Sequence, residues 1–526
     1  METTPQEYPS NQVEKWLYAR GFERGNPFRT INAEQEQAYL AESIFVPVPD
    51  YDSIRGDQTM LVFAPRGGGK SSLRVRLAAI SSPHDMTSSV LAVECTDFSW
   101  LVARYRDYGR VTEQDYEMFL LRQAAKAFLE LFLPQEFLPS NITAEDDLHK
   151  REERASRIIP NAHAQIAAFF RQYIPSLLYP RELFGYMLRL HKEFNGKWVD
   201  FQEAANKKRL RSYLAQTNLA RERDVAWLLA DLNDEPNASA DSFRSVIDSF
   251  KELVQLAKAA QVEQVHFLFD RLDEMQLFAN DYEAQANILE PLLAYLNLLE
   301  LPGVAFKFFV AHELYRVLRE RQTIRRDRLL NKATKIVWTT DLIDQLFSER
   351  LLFFSNDEVS SLVGLCDQDG EFIEAEMKKL AAGSPRRLLT AGQLLIQAHV
   401  ASDKEEELLN LEDWQKAREH LLALMPPLLI LRIEDGLVEV GGEQIKLTKT
   451  EIKILSTLAA DNGYADRETI AIEGWGSARG VSDEAIAQAI TRLRTKLQDN
   501  GKEPIYLQTV RGKETGFRLQ NYELLE

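Results

Sequence analysis

Residues 59–72 read TMLVFAPRGGGKSS, and LRVRLAAI follows at 73–80. The run from Met60 to Ala64 is continuously apolar and short, as in a strand buried on both faces. Pro65-Arg66-Gly67-Gly68-Gly69 ends it, because consecutive glycines free the backbone for a tight turn. From Lys70 onward the apolar residues take helical spacing. The stretch predicts strand, glycine loop and helix in direct succession.

Four more apolar runs share this texture: 90–93 (VLAV), 265–269 (VHFLF), 305–310 (AFKFFV) and 334–338 (TKIVW). Helical periodicity lies between them, at 117–132, 162–174, 182–194 and 241–260, with Pro134, Pro139, Pro160, Pro175, Pro180 and Pro236 as breaks. Apolar runs alternating with helices predict an α/β core, a parallel sheet covered on both faces.

The segment Ala64-Pro65-Arg66-Gly67-Gly68-Gly69-Lys70-Ser71, extended to Ser72, matches the phosphate-binding P-loop pattern, with Ala64 where its first glycine usually stands. Successive backbone N–H groups of such a loop turn inward around phosphates, and the following helix adds its positive end. Lys70 would reach the β- and γ-phosphates of ATP, and the Ser71 hydroxyl would ligate Mg²⁺. A second acidic element follows the strand at 265–269: Asp270-Arg271-Leu272-Asp273-Glu274. Asp270 is the expected metal ligand. Asp273 and Glu274 are candidates for orienting or deprotonating an attacking water.

The pair FLFDRLDE and P-loop resembles the STAND class of signalling ATPases within the AAA+/STAND group, and its NACHT branch in particular. Arg271 stands where that branch has a small residue, and the glutamate that fast AAA+ motors carry beside the metal aspartate is missing. The resemblance therefore implies a slow, switch-like ATPase using ATP/ADP and Mg²⁺. Gly383-Ser384-Pro385-Arg386-Arg387-Leu388-Leu389 resembles the sensor-2 segment of origin-recognition AAA+ proteins and the Gly-x-Pro turn of STAND lids. By that likeness Pro385 packs near the base, and Arg386, or else Arg387, reaches the γ-phosphate. Arg325-Arg326-Asp327-Arg328 lies where AAA+ rings carry an arginine finger, with Arg326 as candidate; a solvated basic helix end is the alternative. His312, after the 305–310 run, reads as a structural histidine.

The domains expected are an N-terminal segment 1–50, an ATPase core 51–340, a helical lid 341–400, a linker 401–428 and a small α+β domain 429–526. Between Lys70 and Asp270 the chain is longer than two strand–helix units of roughly 30 residues need. A helical insertion at about 130–255 fills the difference and carries Lys207-Lys208-Arg209 and Arg211. These read as a solvated face, or else as a patch for nucleic acid or an acidic partner.

In the last domain a strand–turn alternation (LILRIEDGLVEVGGEQIKL) precedes helices, ITRLRTKL at 490–497 and the hairpin IYLQTVRGKETGFRL. In this order they resemble the response-regulator winged helix of the OmpR/PhoB class. The resemblance implies an N-terminal small sheet, three helices and a β-wing, with 482–498 as the recognition helix in the DNA major groove. Gln488, Thr491, Arg492 and Arg494 are then the candidate DNA contacts, with Arg511, Lys513 and Thr515 from the wing. On a helix Arg492 and Arg494 fall on nearly opposite faces, so Arg494 is better placed for a phosphate or an internal carboxylate. The domain holds 13 Lys and Arg against 16 Asp and Glu, which keeps docking of an effector protein open beside duplex DNA.

The chain of 526 residues carries 63 Lys and Arg against 80 Asp and Glu, a net charge of −17. This excludes a protein that coats nucleic acid through bulk charge. Cys95 and Cys366 lie in no metal-ligand pattern and read as buried thiols of a reducing cytoplasm. The start of the chain has no signal-peptide pattern, and no window is apolar enough to span a membrane. The expectation is a cytoplasmic, ATP-controlled switch with a DNA-binding winged helix, a bacterial transcription regulator or an antiviral conflict sensor, working as a homo-oligomer or with a separate effector. A DNA-loading ATPase resembling replication initiators, or an assembly scaffold, are the alternatives.

Overall fold

Met60–Ala64 forms β1, and all five residues are buried. It lies in a fully parallel sheet with β2 (Val90–Cys95), β3 (Gln264–Phe269), β4 (Val304–Ala311) and β5 (Ala333–Lys335), in the order β2-β3-β4-β1-β5. The computed structural model describes residues 10–29, 33–36, 44–80, 89–132, 245–259, 262–275, 278, 281–381, 383–402, 408–433, 435–440, 443–460, 463–476, 481–497, 499, 504–510 and 516–525. They divide into two units, 32–337 and 1–31 with 338–526.

The first unit is built on this sheet. Aromatic rings fill one side: Phe267 stacks on Phe306 at 5.2 Å, and Phe269 meets Phe308 at 4.7 Å. Cys95 is fully buried in the same core. The chain leaves β1 for the far edge at β2, returns through β3 and β4, then crosses β1 to β5. In open α/β sheets ligands bind at the carboxyl ends of the strands where such an order reverses, which here is at β1 and β4.

Two elements differ from expectation. The last strand is Ala333–Lys335 rather than 334–338; Ile336 still donates to Phe63 O at 2.8 Å, but Val337 is exposed and leaves the sheet. The helix expected at 117–132 starts earlier, at Glu113, where Asp115 accepts from Thr112 N and Oγ1 and fixes the first turn. The expected insertion at about 130–255 lies mostly outside the described residues, with Lys207, Lys208, Arg209 and Arg211.

The second unit joins the start of the chain to its second half. The helix Ser10–Tyr18 sets Trp16 edge-on against His399 at 5.2 Å. Phe28 packs on Phe347, and Arg350 donates twice to Pro27 O. The helices Thr340–Phe354, Gly370–Ala381 and Pro385–Val400 follow. The segment read as a linker holds a further helix, Leu411–Leu424, with an Asn410/Asp413 capping box and Trp414 buried. Asp413 Oδ2 lies 2.8 Å from His399 Nδ1, with both side chains fully buried. The acidic run at 405–407 masked this capping pattern in the sequence.

The C-terminal segment has the expected winged-helix order. Strands β6 (Leu429–Arg432), β7 (Leu437–Val440) and β8 (Glu443–Lys446) precede the helices Lys449–Ala460, Arg467–Trp475 and Asp483–Lys496. The hairpin β10 (Leu507–Val510) and β11 (Gly516–Leu519) takes β9 (Tyr464–Asp466) as a third strand. The closing β12 (Tyr522–Leu525) pairs parallel to β6, which was not expected and returns the end of the segment to its first sheet.

Candidate functional site

The glycine loop lies between the carboxyl end of β1 and the helix Lys70–Ile80. Gly67 and Gly69 have φ of 77° and 88°, a backbone that only glycine adopts freely. A Cβ on Gly68 would meet Pro65 O at 3.0 Å, so this position too needs a bare backbone. Lys70 is buried, and its Nζ lies 3.2 Å from Ala64 O and 3.4 Å from Asp273 Oδ2. Arg66 reaches Asp273 O at 3.4 Å. An ammonium held by a loop carbonyl and a buried carboxylate at a strand's end is a cation placed for an anion.

β3 brings Asp270 to the same edge. Its Oδ1 accepts from Arg271 N at 2.9 Å and its Oδ2 from Arg74 Nε at 3.1 Å, and Ser71 hydrogen-bonds the same carboxylate. Burial pushes the Asp270 carboxyl above the usual carboxylate range, against the opposing pull of Arg74, Ser71 and Lys70. Glu274 is half-exposed and pairs with Arg271 Nε at 2.7 Å. The structure thus gathers Ala64, Pro65, Arg66, the three glycines, Lys70, Ser71, Ser72, Asp270, Asp273 and Glu274 at one edge of one sheet. Backbone donors, one lysine and a hydroxyl–carboxylate pair are the donor set that a nucleotide and a divalent cation require. Among the described residues no group of three or more His, Cys, Asp or Glu side chains is placed to hold a metal by itself.

Three residues around this edge were not singled out in the sequence. Arg74 follows Lys70 by four positions on one helix, so both point to the same side. It contacts Asp270, Glu34 and Glu94. The i, i+4 spacing could have found Arg74, but LRVRL read only as an amphipathic start. No sequence signal points to Glu34 or Glu94.

Of the other residues singled out in the sequence, His312 lies beside the loop and the arginines lie elsewhere. His312 donates its N–H to Ala64 O at 3.1 Å, beside the loop. Arg326 is exposed at the start of the short helix Arg326–Leu329, and Arg328 pairs with Glu300. Pro385 and Arg386 belong to the other unit and open the helix Pro385–Val400 after Ser384, whose side chain accepts from Arg387 N. Arg386 is exposed, whereas Arg387 is buried and donates to Met425 O.

The second candidate site is the helix Asp483–Lys496, capped by Ser482 accepting from Ala485 N. Ile486, Ala489, Ile490 and Leu493 are buried in the domain's core, and Gln488, Thr491 and Arg492 are exposed. Arg494 turns away: its guanidinium donates to Leu507 O at 2.8 and 2.6 Å and to Thr509 Oγ1 at 3.0 Å. Lys496 pairs with Glu451 at 2.7 Å. Arg511, Lys513 and Thr515 lie outside the described residues.

Comparison with known proteins locates a family match here. Residues 442–519 match the family model described as transcriptional regulatory protein, C terminal. Over 86 residues the chain is 37% identical to Protein PetR of Rhodobacter capsulatus, a stretch covering 15% of this chain and 36% of that protein. The match thus spans little more than a third of that relative's length. No solved structure matches. Among the described residues no helix is long and apolar enough to cross a membrane.

Proposed function

We propose that this chain is a DNA-binding transcription regulator whose winged helix is governed by an ATP- and Mg²⁺-binding core. The observation that carries the DNA half is the exposed Gln488–Thr491–Arg492 stripe on a helix inside the 442–519 family match. Helix, wing hairpin and buried Ile486–Ile490–Leu493 stripe have the arrangement that presents one helix face to the major groove. Arginine and glutamine are the side chains that read guanine and adenine edges bidentately.

The nucleotide half rests on the fit of the glycine loop. Backbone N–H groups of 65–71 and Lys70 would hold the phosphates, and Ser71 and Asp270 would hold Mg²⁺. A bound Mg-nucleotide would supply charge and shape that differ between its di- and triphosphate forms. Arg271 occupies the position beside Asp270 and engages Glu274. This favours slow turnover over a motor's, well below the ~1–100 s⁻¹ of kinases. By the resemblance, Arg386 remains the candidate to reach the γ-phosphate, and Arg326 the candidate arginine finger toward a neighbour's ATP.

Two measurements test this reading. Titration with a non-hydrolysable ATP analogue should show strong loss of affinity in Lys70→Ala; unchanged binding would remove the nucleotide half. Fluorescence anisotropy with duplex DNA over a salt series should show binding that weakens with salt. Absence of binding at low salt, with and without nucleotide, would make the winged helix a protein-docking module.

A further inference from the structure

Glu34 sits in the turn at 33–36 and belongs to the same unit as the glycine loop. Its Oε1 lies 2.5 Å from the Arg74 guanidinium and 3.3 Å from that of Arg271. Each of these arginines also holds an acid of the candidate site. Arg74, almost fully buried, binds Asp270 at 3.1 Å, and Arg271 binds Glu274 at 2.7 Å. The result is one connected row: Asp270, Arg74, Glu34, Arg271, Glu274. Glu94 adds a further carboxylate on Arg74 and, among the described residues, does not pair with Arg271.

A guanidinium shared between carboxylates binds each less completely than one facing a single partner, since its donors and its charge are divided. We propose that Glu34 is a positioning residue of the nucleotide site, dividing the pairing of Arg74 and Arg271 so that Asp270 stays available to a divalent cation and Glu274 to water. This inference rests on the nucleotide reading above. Without the Glu34 charge, Arg74 closes further on Asp270 and Arg271 on Glu274. The added positive charge then opposes a cation at Asp270. The buried Arg74–Asp270 pair feels this more than the half-exposed Arg271–Glu274 pair, where solvent screens the charges.

The test uses the full chain and a fluorescent non-hydrolysable ATP analogue, with binding followed as Mg²⁺ is raised. Glu34→Gln should raise the Mg²⁺ concentration for half-maximal binding about fivefold, the size of an ordinary coupling between contacting charges. Its affinity for the analogue without Mg²⁺ should not fall. Arg271→Ala placed in the Glu34→Gln background should leave the raised requirement in place, because Arg271 acts on Arg74 through Glu34. The same Arg271→Ala change should lower the requirement of Glu94→Gln, where Glu34 is still present and then pairs with Arg74 alone. An unchanged requirement in Glu34→Gln overturns the proposal, and so does equal rescue of both variants. If circular dichroism shows Glu34→Gln unfolded, Arg271→Ala alone decides: it should lower the Mg²⁺ requirement, and no change overturns the proposal. Failure of the wild-type chain to bind the analogue at any Mg²⁺ concentration removes the nucleotide reading and this inference together. Wild-type binding with insensitive variants removes this inference alone.

Discussion

Lys307 on β4 is fully buried, with its ammonium donating to the carbonyls of Gly56 and Gln58. Burial pushes its pKa down from 10.5 to about 7. His266 on β3 is likewise pushed down, from 6.5 to about 3, by burial first and by the Lys307 charge second. Both groups favour their neutral forms in the fold. Between about pH 3 and 6.5 the unfolded chain binds a proton at His266 that the folded chain refuses, so stability rises with pH across this window and is lost as pH falls. Lys307 acts in the same sense between about pH 7 and 10.5. We expect wild-type Tm to fall more steeply on acidification below about pH 6.5 than that of His266→Leu. Equal slopes in differential scanning calorimetry would show that His266 does not carry this dependence. The sequence marked His266 only as one position in an apolar strand, since a period-2 pattern says nothing of what lies beneath a sheet.

Among the helices, Pro385–Val400 and Asp483–Lys496 make the sharpest cases. A Cβ added to Gly392 would lie 2.5 Å from Phe28 Cδ1, so the helix and residues 10–29 meet at a bare glycine. Gly392→Ala should destabilise this unit by about 1–3 kcal/mol through overpacking, read from the denaturant midpoint; a neutral effect would mean that Phe28 moves freely. On the winged-helix side, Arg492→Ala should cost about 1–3 kcal/mol of sequence preference and leave folding intact. Arg494→Ala should instead lower thermal stability, because its guanidinium joins the helix to the carbonyl of Leu507 in β10. Anisotropy with specific and scrambled duplexes, beside thermal unfolding of both variants, separates the two roles. The reverse pattern would place Arg494 in the groove.

These elements show what local pattern can and cannot carry. The strand–glycine–helix order at 59–80 and the winged-helix order at 429–526 follow from residues close in sequence, and both were readable. Asp270 could be placed because a buried strand leads directly into it. The pairing of Arg74 with Glu34 and Glu94 spans residues 34 to 94 and depends on the fold, so nothing local announced it. The helix Leu411–Leu424 was hidden for another reason: charged residues and prolines on either side outweighed a capping box that only its buried His399–Asp413 contact explains. β12 was missed because a closing strand of four residues has too few positions to show a period.

With a net charge of −17, the chain meets a polyanion only through local features. On the helix Asp483–Lys496, Arg494 and Lys496 are engaged within the domain, and Arg492 is the basic residue on its exposed face. Such a surface gives weak bulk attraction, as the proposed control of DNA binding by the core requires. The direct measurement is duplex affinity by fluorescence anisotropy at fixed salt, for wild type and Lys70→Ala, without nucleotide and with Mg²⁺ and the ATP analogue. Nucleotide should shift the wild-type affinity severalfold and leave Lys70→Ala unmoved, on the order of the 1–3 kcal/mol of ordinary allosteric coupling. Equal wild-type affinity in both states, with the analogue bound, would contradict nucleotide control of the winged helix.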